Sequence, residues 1–137
     1  MMKSGFIRMP AGRRQWSLAI MAIFYLAAGI NHFRMPEFYL PLIPDYLPQK
    51  ELLNTVSGLV EIVLGVLLFW PATRRVATWG IIAMLLAFVP AHIWFIQNGG
   101  CLDPNGLCVP EWIMWARLLV IHPLLIIWAY SFTTSKP

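Results

Sequence analysis

The chain has 137 residues, enough for one domain; 59% are apolar and only 12% charged. That balance excludes an ordinary soluble globule and fits an integral membrane protein. The net charge of +4 is segregated: Lys3, Arg8, Arg13, Arg14, Arg74, Arg75 and Lys136 lie in two tails and one connection without acids, while Glu37, Asp45, Glu51, Asp103 and Glu111 lie in or beside the other two connections. By the positive-inside rule this places both termini and the second connection in the cytoplasm. The basic tail is then a topology signal, and nucleic acid is excluded as a partner.

In chain order, residues 1–14 form a short basic cytoplasmic tail. A first apolar run covers about residues 15–33. It is longer than the roughly 7–15 residues of a signal-peptide core, which is the alternative reading of a basic tail followed by an apolar run. Tyr25, Ala28 and His32 recur on one face of this helix. Residues 34–50 hold four prolines among apolar side chains, which predicts a broken segment lying at the outer interface and capping the helices. A second span covers about residues 52–70. Its polar and small positions, Asn54, Ser57 with Gly58, Glu61 and Gly65, share one stripe.

PATRR, residues 71–75, reads as a tight inner turn joining antiparallel neighbours. A third span covers about residues 76–96. Gly80, Ala83, Ala87 and Ala91 form a small-residue stripe suited to close packing, and Pro90 predicts a kink one turn from the outer end. After a turn-rich loop, a fourth span covers about residues 112–132, followed by a tail at 133–137. The fold expected is all-α: a transmembrane four-helix up-down-up-down bundle with both termini cytoplasmic.

The carriers of chemistry are the ionisable groups at bilayer depth. A charge there costs roughly 3 kcal/mol or more and is tolerated when it faces the bundle interior with a partner. Glu61 lies near the midplane; Arg117, His32 and His92 lie nearer the outer surface, and His122 is deeper. Glu61 paired with Arg117 is the sharpest expectation. Its alternative is a protonated Glu61 with Arg117 reaching to the interface. Arg117 and His122 stand about 140° apart on a regular helix and share a side only if the region of Pro123 distorts it. No H-x-x-H or E-x-x-H spacing occurs, so no metal site is expected. Cys101 and Cys108 share the outer loop, with Pro104, Asn105 and Gly106 as a turn between them. A structural disulfide is the expected state there, and a redox-active pair the alternative.

Three segments together, AGINHFRMPEFYLPLIPDYLP at 28–48, SGLVEIVLGVLLFWPATRRVATWGIIA at 57–83 and WARLLVIHPLLIIWAY at 115–130, resemble the DoxX family of small bacterial membrane proteins. The resemblance covers about residues 26–130. It implies a four-helix bundle in a bacterial inner membrane and a link to quinone-coupled oxidase complexes or to membrane complexes answering oxidative stress. Asn31, His32, Phe33, Pro36, Ser57, Gly58, Glu61, Trp115 and Arg117 match positions that recur in such sequences. The expected polar pocket, in the outer half of the bundle, comprises Asn31, His32, Ser57, Glu61, His92, Arg117 and His122.

Two functions follow as expectations. The first is an accessory subunit of a quinone-linked membrane redox system, with a quinone head group as the candidate ligand. The chain carries no flavin, haem or C-x-x-C signature, so it would be at most one subunit of an oxidoreductase. The second is a non-enzymatic scaffold or assembly factor. A small transporter ranks behind both, because neither an inverted repeat nor a broken-helix pair is visible. The partners expected are the lipid bilayer and either other subunits of a membrane complex or further copies of the chain.

Overall fold

The computed structural model describes residues 11–101 and 108–134; Lys3, Arg8, Asp103, the Pro104–Gly106 turn and Lys136 lie outside them. The described residues are all-α. Helix α1 (Ala11–Arg34) is followed by the short α2 (Pro36–Tyr39) and a 3₁₀ turn (Leu40–Leu42). Then come α3 (Lys50–Leu67), α4 (Pro71–Ala87), α5 (Val89–Gln97), α6 (Glu111–Ala116), a π-helical turn (Arg117–Ile121) and α7 (His122–Tyr130).

Three stretches are long and apolar enough to cross a membrane: Gly12–Arg34, Pro71–Gln97 and Glu111–Tyr130. α3 is not among them, because its 18 residues include Lys50, Glu51 and Glu61. The helices expose many large apolar side chains: Ile20, Ile23 and Phe24 on α1, Leu59 and Val63 on α3, Leu86 on α4, Leu124 and Ile127 on α7. In water such a surface would be an aggregation site, and against hydrocarbon it is the solvated face.

α1 and α3 run antiparallel in close contact. A Cβ on Gly29 would stand 2.7 Å from the Gly58 carbonyl oxygen, and one on Gly65 would stand 3.1 Å from the Ala22 oxygen. Only residues without side chains let the two backbones meet here. The buried face of α1 is Leu18, Met21, Ala22, Tyr25 and His32; that of α3 is Asn54, Glu61 and Leu64 with Gly58 and Gly65 between. α4 packs on α7 and on α3, and α5 packs on α6 and the π turn. The ends of the described chain meet, with Trp128 Nε1 donating to Ser17 Oγ at 2.8 Å and the Arg14 guanidinium over the Phe132 ring. The apolar core fills this terminal half, around Met21, Leu68, Ile81, Leu85 and Ala129.

Two expectations from sequence need correction. PATRR is the first turn of α4 and not a loop: Trp70 is extended, with φ −100° and ψ 128°, and Pro71 opens the helix. Proline suits that position because its fixed φ is helical and its missing N–H has no partner there anyway. The small-residue stripe of the third span packs only in part: a Cβ on Gly80 would stand 2.6 Å from a Leu64 methyl, while Ala83 and Ala87 are exposed. The main packing face is Ala77, Thr78, Ile81 and Leu85, since apolar side chains interlock as well as small ones when the partner offers a matching groove. The segment after α1 does cap the opposite end: Pro44 is buried, and the Tyr46 ring meets Trp94 edge to face at 6.0 Å.

Candidate functional site

The site starts from a proline. Pro36 has no amide hydrogen, so the His32 carbonyl loses the donor that residue 36 would supply in a continuing helix. Asn54 Nδ2 takes that place and donates to the His32 oxygen at 3.0 Å. The other atom of the same amide, Oδ1, lies 2.7 Å from His32 Nδ1. Tyr39 covers the imidazole face, with ring centroids 3.8 Å apart and planes at 23°. Asn31 Nδ2 donates to the Tyr39 hydroxyl at 2.9 Å and braces it. At the remaining ring atom, His32 Nε2 stands 3.6 Å from Glu61 Oε2. His32 and Glu61 are 8% and 6% exposed. Glu61 Oε2 and the Tyr25 hydroxyl are buried without a hydrogen-bond partner.

The facing wall is shaped by two more prolines. α4 stops at Ala87 and α5 restarts with Pro90 in its first turn. At this break the Phe88 N–H is shared between the Met84 and Leu85 oxygens. The Leu85 oxygen also accepts from His122 Nε2 at 2.5 Å; a carbonyl only accepts, so that nitrogen carries the proton. One turn before Pro123 the helix widens, and the His122 N–H bonds to the Arg117 oxygen, a step of five residues. A turn that closes on the fifth residue brings Arg117 and His122 onto one side, which a regular α-helix would not do. The His122 ring then meets His92 edge on, centroids 4.8 Å apart.

Between the walls lies a cavity of about 220 Å³. His32, Tyr39, Asn54, Ser57 and Glu61 line one side; Phe88, Ala91, His92, Phe95 and Arg117 line the other; Leu42 and Ile43 come from the connecting segment. Glu61 lies 11 residues into α3, roughly 16 Å from its start at 1.5 Å per residue, so the polar atoms reach well into the bundle.

Of the residues expected from sequence, His32, Ser57, Glu61, His92 and Arg117 line this cavity. Asn31 stands behind Tyr39, and His122 behind His92. The expected Glu61–Arg117 ion pair is not formed. Glu61 faces His32, because the Gly29–Gly58 contact lays α1 directly on α3, whereas no Cα of the π turn comes within 8 Å of one of α3. Among the described residues Arg117 has no carboxylate within 4.0 Å. Asn54 and Tyr39 were not expected as site residues; the signal for Asn54 was Pro36, four residues after His32. Among the described residues no group of three His, Cys, Asp or Glu side chains stands together as metal ligands.

Outside the cavity, Cys101 and Cys108 are joined by a disulfide, their Cα atoms 4.5 Å apart. Gly99 and Gly100, both at positive φ near +70°, turn the chain out of α5 to reach it.

An all-helical chain whose long helices turn apolar faces outward and keep a polar cavity inside is a multi-pass membrane protein. The model of one family, a domain of unknown function designated DUF8561, matches residues 21–133, and the chain belongs to that family. This match spans the whole site from Tyr25 to His122, and it is to DUF8561 and not to DoxX. No curated protein and no solved structure matches the chain.

Proposed function

We propose that this chain is a four-span protein of a bacterial inner membrane, DoxX-like in arrangement, with both termini cytoplasmic. Its cavity, in the outer half of the bundle, holds the head group of a quinone-type ring, and the chain serves as an accessory subunit of a membrane redox system. The observation that carries this reading is the cavity itself. A dry cavity of about 150 Å³ takes benzene, so about 220 Å³ suits a substituted six-membered ring. Phe88, Phe95, Leu42 and Ile43 give it apolar walls, while the His32–Glu61 pair and Arg117 offer polar contacts from different helices. A few placed polar groups in an apolar pocket are what a small-molecule site needs. The surroundings are lipid, where a tailed ring partitions.

Mass spectrometry of the protein gently extracted from its own membrane tests this. The expected spectrum shows one tailed ring molecule per chain. A stoichiometric protein partner with an empty cavity would replace the reading with that of a scaffold. Orientation is tested on intact cells: after mild reduction, an impermeant thiol reagent applied from outside is expected to label Cys101 and Cys108.

A further inference from the structure

The hydrogen bonds around His32 fix where its proton sits. The His32 carbonyl can only accept, so the Asn54 atom 3.0 Å from it is the NH₂ group. The Asn54 atom 2.7 Å from His32 Nδ1 is therefore the amide oxygen, which also only accepts, so Nδ1 carries a proton. In a neutral ring Nε2 is then bare, and it faces Glu61 Oε2, another acceptor, inside the protein. Two buried bare acceptors do not stay face to face; one proton belongs between them, on either atom. Whichever atom holds it, that proton faces the other atom across 3.6 Å, an electrostatic contact longer than a hydrogen bond, and is turned away from the cavity.

We infer that Glu61, by its second carboxyl oxygen, presents a fixed acceptor to the cavity, and that the site therefore selects a ligand that donates: a ring hydroxyl over the corresponding ring carbonyl. The remaining polar groups agree. Arg117 only donates and has no carboxylate partner among the described residues, so it takes an acceptor at another edge of the ring. A hydroquinone meets both demands, since one hydroxyl donates to Glu61 and the oxygen of the other accepts from Arg117. Tyr39 on α2 stacks on His32, and its hydroxyl is engaged by Asn31. Ser57 on α3 and His92 on α5 line the cavity, and the Tyr25 hydroxyl on α1 is buried. Asn54 is thus a positioning residue, holding His32 in the form that turns Glu61 into an acceptor.

This inference rests on the ring-binding reading above, and the experiment separates the two. The full-length protein in lipid nanodiscs is titrated calorimetrically, without oxygen, with a short-tailed benzohydroquinone and with its benzoquinone. The hydroquinone is expected to bind tenfold tighter or more, because a site built to accept a hydroxyl leaves its acceptor unpaired against a carbonyl. Glu61→Gln should keep the preference: its NH₂ donates to bare His32 Nε2 and its oxygen faces the cavity. Glu61→Leu should lose it. Equal binding of the two forms to the unaltered protein, or a reversed preference in Glu61→Gln, overturns the proton placement and leaves ring binding standing. Binding of neither form overturns the ring-binding reading itself.

Discussion

At the scale of single residues, the site is held by atoms that have partners and by two that lack them. Asn54 satisfies both the His32 carbonyl and Nδ1. Asn54→Leu leaves two buried polar groups unpaired, at about 1–3 kcal/mol each. Tyr25→Phe, in contrast, removes a hydroxyl that is buried without a partner, so its expected effect is within about 1 kcal/mol or stabilising. Unfolding curves in detergent micelles compare the two. A loss for Tyr25→Phe as large as for Asn54→Leu would show that the hydroxyl has a partner, such as an internal water. Polar residues at this scale were legible in the sequence because ionisable groups stand out in apolar runs. Their pairing was not: Glu61 had an arginine and three histidines to choose from, and depth along a helix does not say which neighbour lies alongside. The Pro36-orphaned carbonyl was readable, but only when followed four residues back to His32.

At the scale of elements, the contact between α1 and α3 sets the site, because it carries His32 to Glu61. Gly29 and Gly58 are where the backbones touch; a methyl on Gly29 would also come within 2.9 Å of the Ile62 amide nitrogen. Gly29→Ala must push backbone, not a flexible tip, and is expected to cost about 1–3 kcal/mol and to weaken ligand binding with it. Gly12, near the start of the same helix, has nothing within 4 Å of an added Cβ. Gly12→Ala is therefore expected to gain up to about 1 kcal/mol of helix propensity. Thermal melts of the two variants decide it, and equal melts would mean that the helices do not depend on this contact. The all-α class and the stripe on α3 were legible from periodicity. The start of α4 was misread because Pro71 serves equally as a breaker and as a first-turn residue, and only the geometry of Trp70 distinguishes them. The π turn was readable only as a condition, in that Arg117 and His122 needed a distortion near Pro123 to share a side.

At the scale of the whole molecule, the protein is built inside out in one half and right side in at the other. The terminal half closes on an apolar core, and the opposite half closes on polar atoms under a proline-rich cap. That division follows from the stripes on α1 and α3, which run from Leu18 and Leu64 at one end to His32 and Asn54 at the other. One consequence concerns how such a molecule is made. In the four-span arrangement we propose, α3 enters the bilayer carrying Lys50, Glu51 and Glu61, while the other three columns are apolar enough by themselves. The surface that shields Glu61 belongs to α1, which emerges from the ribosome first. α3 is thus a passenger: alone, it is expected to slip through the insertion machinery, and behind α1 it is expected to stay in the membrane. Glycosylation mapping of α3 in a host protein, with and without the preceding α1 segment, reads this directly, and efficient insertion of α3 on its own would refute it. Replacing Gly29 should then lower the yield of inserted protein before it lowers the stability of what has been inserted, so a residue with no side chain would act as a checkpoint in biogenesis.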